Sequence, residues 1–226
     1  MNYICAWACG LYPIARVDAV SVTMSMPFTI DEAFLPAILT APPMNDQQFA
    51  DFCAEHPDLF FEMTAEGEII VMPPNFSLTG IRNREITSQL DRWAAEQRRG
   101  TVGEPSTGFV LPNGARRSPD ASWTAREEIN KLPGESLLGY WHLCPAFVIE
   151  LRSHFDRLPA LRAKMREYTA NGAQLEWMID PETRTVEVYR PGRDPELFTG
   201  IDSVSGEGPV AGFVLDLTRV WDPLAN

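Results

Sequence analysis

Residues Pro145–Tyr168 read "PAFVIELRSHFDRLPALRAKMREY", and this stretch decides the architecture. Ala146–Leu151 is short, apolar and rich in branched side chains, as in a buried strand, yet Glu150 and then Arg152 stand where core residues are expected. After Pro159 the pattern changes. Leu161, Lys164, Met165 and Tyr168 recur three and four apart, so a helix follows the strand, and Asn171-Gly172 closes it. Strand side chains alternate between faces, so Glu150 and Arg152 point one way and Leu151 into the opposite layer.

Outward from this stretch the chain alternates strands and helices with short connections. "LEWMID" and "TVEVYR" form a hairpin across Asp180-Pro181-Glu182-Thr183, and the tail Gly206–Trp221 adds at most one strand and a short turn. Toward the N-terminus, Asn45 or Asp46 caps a helix that reaches about Glu55 and is anchored by Phe49 and Phe52. Phe60–Met63 and Glu68–Met72 make a hairpin around Gly67. Over Ile81–Gln97, residues Ile86, Leu90, Trp93 and Ala94 mark an amphipathic helix with an arginine-rich outer face, terminated by Gly100. "GFVLPNGARRSPDASWT" supplies two extended segments about a Pro-Asn-Gly turn, with Asp120 just inside the second. Glu127–Lys131 is a short helical or loop excursion. The predicted fold class is α/β, a mixed β-sheet flanked by helices.

With 226 residues and 45% apolar content, one sizeable core is expected. No apolar run reaches the ~18–20 residues of a membrane-spanning helix, so no membrane partner is expected. Cys5, Cys9, Cys53 and Cys144 lack CxxC spacing, and three histidines are a poor supply for zinc, so a reducing cytoplasm is the expected compartment. Met1–Val22 lacks a basic leader and a clear cleavage site. Met24 and Met26 directly precede the patterned region, so residues 1–25 read as a disordered extension and 26–226 as a single domain. The net charge of −12 opposes avid nonspecific binding to nucleic acid. Most arginines nevertheless lie mid-chain, which leaves room for a basic site on an acidic body.

Asp120, Glu150 and a cation at Arg152 or Lys164 form the acid, acid, base set that metal-assisted phosphodiester hydrolysis requires. Two carboxylates hold a hard divalent cation through oxygen, and a nearby cation offsets charge on the reacting phosphorus centre. Each residue also has a plainer reading: Glu150 with Arg152 as an ion pair, Asp120 as a turn residue, and Lys164 and Tyr168 as the edge of an amphipathic helix. Ser153, His154 and Asp156 are too close in sequence for a hydrolytic triad. His142 and Cys144 lack a second pair of metal ligands.

The motifs "TGIRNREITSQLDRW", "STGFVLPNGARRSPDASW", "FVIELRS", "KMREYTANGAQLEWMIDPETRTVEVYRPG" and "GFVLDL" occur in that order. Over Phe28 to Trp221 the chain resembles the Uma-type restriction-endonuclease family, a domain of unknown function in the PD-(D/E)XK nuclease superfamily. The resemblance implies a restriction-endonuclease-like core over 26–226 and a metal-dependent endonuclease acting on DNA. It implies that Asp120 and Glu150 bind Mg²⁺ or Mn²⁺, with Glu62 as a further acidic candidate. Arg152 stands where the superfamily motif has its lysine, and the family's helical lysine matches Lys164. Lys164 is then expected to position or activate water and Arg152 to help bind the scissile phosphate. Related nucleases often cut as dimers, so a homodimer is also an expectation. Relatives continue "ELRS" with Pro-Ser-Asp where this chain has His154-Phe155-Asp156. A catalytically silent module of the same fold, binding nucleic acid or a protein, is the alternative.

Overall fold

The computed structural model describes residues 36–72 and 76–225. The expected N-terminal extension, Cys5, Cys9, and the candidate starts Met24 and Met26 lie outside the described residues. β1 (Ala37–Thr40) leads into α1 (Asp46–Glu55). Asn45 caps this helix reciprocally: its side chain accepts from Gln48 N at 2.9 Å, and Gln48 Oε1 accepts from Asn45 N at 3.0 Å. β2 (Phe60–Met63) and β3 (Glu68–Met72) form the expected hairpin. α2 (Ser77–Gln97) begins ahead of Ile81, where its apolar spacing starts, and no side chain caps it. β4 (Gly100–Gly103), β5 (Phe109–Val110), β6 (Arg116–Arg117) and β7 (Ala121–Ala125) follow. Asp120 therefore sits just before a strand rather than inside it. α3 (Arg126–Ile129), β8 (Phe147–Leu151), α4 (Leu158–Ala170), β9 (Leu175–Asp180) and β10 (Thr185–Tyr189) come next. β11 (Glu196–Thr199), β12 (Ser203–Ser205), β13 (Val214–Asp216) and α5 (Thr218–Trp221) complete the order.

The expected mixed sheet has six strands in the order β11-β10-β9-β8-β7-β4, with β8 and β9 parallel and the other pairs antiparallel. A second, antiparallel sheet takes β1-β3-β2-β6-β5, and β12 with β13 forms a ribbon. The second sheet is not anticipated by the sequence reading, because β5 and β6 are two residues each and show no alternation. Among the described residues no helix is long and apolar enough to cross a membrane.

β8 sorts the molecule into layers. Its Phe147, Ile149 and Leu151 join Ile86 and Leu90 of α2 and Phe213 near the C-terminus in one apolar cluster. Its Val148 joins Leu161, Met165 and Tyr168 of α4 in another. Strand alternation thus turns Glu150 toward α4, beneath the helix that carries Lys164. Burying each of these large apolar side chains contributes ~1.5–3 kcal/mol, so the position of α4 over Glu150 is set by its apolar stripe.

The end of α2 departs from expectation. Arg98, not Gly100, takes the left-handed conformation there, with φ 54°. Gly100 already belongs to β4, where a Cβ would lie 2.3 Å from Thr124 O and 2.6 Å from the Trp123 ring. Close packing therefore excludes a side chain at this position. Gly100→Ala is expected to destabilise the protein by ~1–3 kcal/mol in urea unfolding, the range for overpacking.

Candidate active site

Four chain segments converge beneath α4. Asp120 enters from the turn before β7 and is held at both oxygens: Oδ2 accepts from Leu151 N at 2.8 Å and Oδ1 from Asn83 Nδ2 at 2.7 Å. Glu150 comes from β8, and its Oε1 accepts from Tyr168 OH at 3.0 Å. Lys164 Nζ lies 2.8 Å from that same oxygen and 2.8 Å from Glu62 Oε1 on β2. Glu62 Oε1 also accepts from Ser118 N at 2.9 Å, and Arg117 reaches its Oε2 at 3.1 Å. Arg117 is shared with Glu167 Oε2 at 2.6 Å.

Burial dominates the electrostatics of this cluster. It pushes Glu150 up to about 8; the Lys164 charge opposes that rise, and neighbouring Asp120 and Glu62 reinforce it. Burial likewise raises Asp120 to about 6, against the pull of Leu151 N–H, the Lys164 charge and the Asn83 amide. Glu62 is also pushed up by burial, but Lys164, Arg117 and their hydrogen bonds more than reverse this and hold it below the ordinary glutamate value. Burial disfavours the Lys164 ammonium, and Glu150 and Glu62 overcome that cost and keep its pKa above that of free lysine. Lys164 is therefore a fixed cation, and Asp120 and Glu150 are two repelling carboxyls short of positive charge.

Among the described residues no three His, Cys, Asp or Glu side chains come together as metal ligands. Asp120 and Glu150 nevertheless suit a hard divalent cation, since such ions are held by one or two carboxylates plus water and substrate oxygens. Glu150 Oε1 is committed to Tyr168 and Lys164. Glu62 differs, because both of its oxygens are occupied by Lys164, Ser118 and Arg117.

Glu62, Asp120, Glu150 and Lys164 line a cleft of about 590 Å³, together with Phe60, Phe76 and Phe155. Arg152 is not among its lining residues. Its guanidinium ends on Asp180 Oδ2 at 2.6 Å, with Glu182 Oε2 at 4.0 Å, so the expected phosphate contact is engaged instead with the β9–β10 turn. Ser153 N donates to Asp156 Oδ2 at 2.7 Å, whereas His154 Nδ1 turns to Glu182 Oε1 at 2.8 Å. His142 pairs with Asp46 and Cys144 Sγ with Tyr168 O, in different directions.

Sequence reading missed Asn83, Arg117 and Glu167, and for Tyr168 it favoured packing over catalysis. Asn83 did leave a signal: it lies three residues before Ile86, on the buried stripe of α2 that continues through Leu90 and Ala94. A polar side chain on that stripe needs a buried partner, which is Asp120.

A family model described as "Uma2: Putative restriction endonuclease" matches residues 46–218. No curated protein matches the chain. Among solved structures, the crystal structure of "a putative nuclease belonging to DUF820" from Anabaena variabilis ATCC 29413 is similar in fold. It has a TM-score of 0.66 and 21% identity, covering 81% of this chain and 100% of that one.

Proposed function

The chain belongs to the Uma2 family, described as "Putative restriction endonuclease", and from that membership we propose that it is a metal-dependent endonuclease hydrolysing phosphodiester bonds in DNA. The observation that carries the reading is the meeting of Asp120, Glu150 and Lys164 on one cleft, from a turn, a strand and a helix. Asp120 and Glu150 hold the metal. Bound there, Mg²⁺ or Mn²⁺ supplies Lewis acidity and a lowered pKa for coordinated water.

The chain's own groups do the rest. Leu151 N–H and the Asn83 amide aim the Asp120 carboxylate, and Tyr168 OH aims Glu150. Lys164, held charged, orients the attacking water and offsets negative charge building on the phosphate, rather than removing a proton. Glu62 and Arg117 form a buried pair that fixes where the Lys164 ammonium sits. Arg152, committed to Asp180, stiffens the rim of the site.

Cleavage of supercoiled plasmid and short single strands tests this, with Mg²⁺, Mn²⁺ or EDTA and an Asp120→Ala control. The expected outcome is metal-dependent nicking that falls at least about a hundredfold in the variant, the scale of losing a preorganised charged group. The silent-module reading draws on the charge of −12 and expects no cleavage from a folded protein with either metal.

A further inference from the structure

Among the described residues three phenylalanines are exposed, Phe60 at 43%, Phe76 at 57% and Phe155 at 46%. All three line the cleft that holds the carboxylates. Phe76 and Phe155 stack on each other, with centroids 5.2 Å apart and planes at 29°. The His154 ring meets Phe155 edge-on at 5.4 Å and is itself held by Glu182. Phe155 is thus braced from two sides while nearly half its surface stays open. Folding gains nothing from leaving such rings in water, and clustered exposed apolar surface marks a binding site.

We propose that Phe76 and Phe155 are a stacking platform for an unpaired nucleobase, which makes single-stranded DNA the preferred substrate. This rests on the hydrolytic reading above, because a phosphodiester at Asp120 and Glu150 carries its flanking nucleotides along the same cleft. The charge of the cleft supports it. Six carboxylates and three cations line the walls, so phosphate contacts are a poor source of affinity, and uncharged stacking must supply what they do not. Stacking needs an open base face. In a duplex both faces of each base are covered by neighbouring bases, so only an unpaired or extruded base reaches the rings. The volume of about 590 Å³ falls within the range of pockets that enclose small ligands.

The test is binding of a short oligonucleotide carrying 2-aminopurine, as a single strand and as a duplex. Ca²⁺ replaces Mg²⁺, since the same oxygen donors accept it. The single strand is expected to bind at least about tenfold more tightly than the duplex, with quenched fluorescence and a shallow salt dependence. Phe155→Ala is expected to weaken single-strand binding roughly tenfold, within the range for loss of base–aromatic stacking, and Phe155→Trp to restore it. Both positions are exposed, so the variants keep the core intact. Equal affinity for both forms, or unchanged single-strand affinity in a Phe76→Ala/Phe155→Ala double variant, overturns the platform. Mg²⁺-dependent cleavage that survives in that double variant overturns it too, while leaving the hydrolytic reading in place. Ring-dependent strand binding with no cleavage upholds the platform and sinks hydrolysis alone.

Discussion

Lys164→Met is expected to cost about 3–5 kcal/mol of stability in denaturant unfolding at neutral pH, because removing one partner of a buried ion pair leaves the other uncompensated. Here the ammonium serves two carboxylates at once, Glu62 and Glu150, each at 2.8 Å and each nearly inaccessible. Methionine matches the stem of lysine in length, so little of the loss is packing. Arg117 and Ser118 N still support Glu62. Glu150 keeps the tyrosine hydroxyl but loses the charge that opposes its rise to about 8, so in the variant its carboxyl should stay neutral to still higher pH. Arg152→Met provides the comparison. That pair is partly open, with Arg152 20% exposed, and Asp180 retains backbone donors from Glu182 and Thr183, so a smaller loss of about 1 kcal/mol is expected. If the two variants lose the same amount, Lys164 is not the hub of the buried network.

Glu176→Gln is expected to leave stability nearly unchanged at pH 5 and to raise it by roughly 2–4 kcal/mol at pH 9. Glu176 lies in β9 with no exposure. Thr169 Oγ1 donates to its Oε2 at 3.0 Å, and Oε1 has no hydrogen-bond partner. Burial, only partly opposed by the Thr169 hydroxyl, pushes this carboxyl up to about 8. From an unfolded value of 4.5 to that folded value, the native state binds the extra proton. Stability from this group is therefore full below pH ~4.5 and lost as pH rises through about 8, at up to ~1.4 kcal/mol per unit. Glutamine mimics the protonated form and abolishes this loss. The difference between wild type and variant, followed by urea unfolding across pH, isolates Glu176 from the other buried acids. A difference that does not change between pH 5 and pH 9 would show that Glu176 is charged throughout.

The long elements were legible from sequence because their apolar periods are strong. The start of α1 at Asn45 or Asp46, the β2–β3 hairpin and the β9–β10 hairpin follow directly from cap and turn chemistry and alternation, and the structure selects Asn45 as the cap. β1, β4, β11 and β12 were not, being three or four residues long and exposed or half-exposed along much of their length. Their place is set by the strands they pair with, a tertiary effect that overrides local preference. In the candidate site, Asp120, Glu150 and Lys164 stood out as charges beside buried patterns. Arg152 did too, but alternation gives only the face of a strand and not where a long side chain ends. Asp180, 28 residues on, captures it. Arg117 and Glu167 were hidden for the same reason: they are neighbours in space, 50 positions apart in the chain.

The parallel β8–β9 pair has one further consequence. Parallel neighbours cannot be joined by a tight turn, so the chain must cross over the sheet, and α4 is that crossover. Lys164 and Tyr168 ride on an element the topology cannot dispense with, whereas Phe155 sits in the short linker that enters it. Connecting segments tolerate changes of residue and length far better than the elements they join. The fold thus separates what inheritance must keep from what it is free to vary. In the proposed nuclease, Glu150 and Lys164 belong to the framework and the proposed grip on the strand belongs to a segment that can drift, so members of such a lineage could diverge in what they hold without relinquishing those two groups.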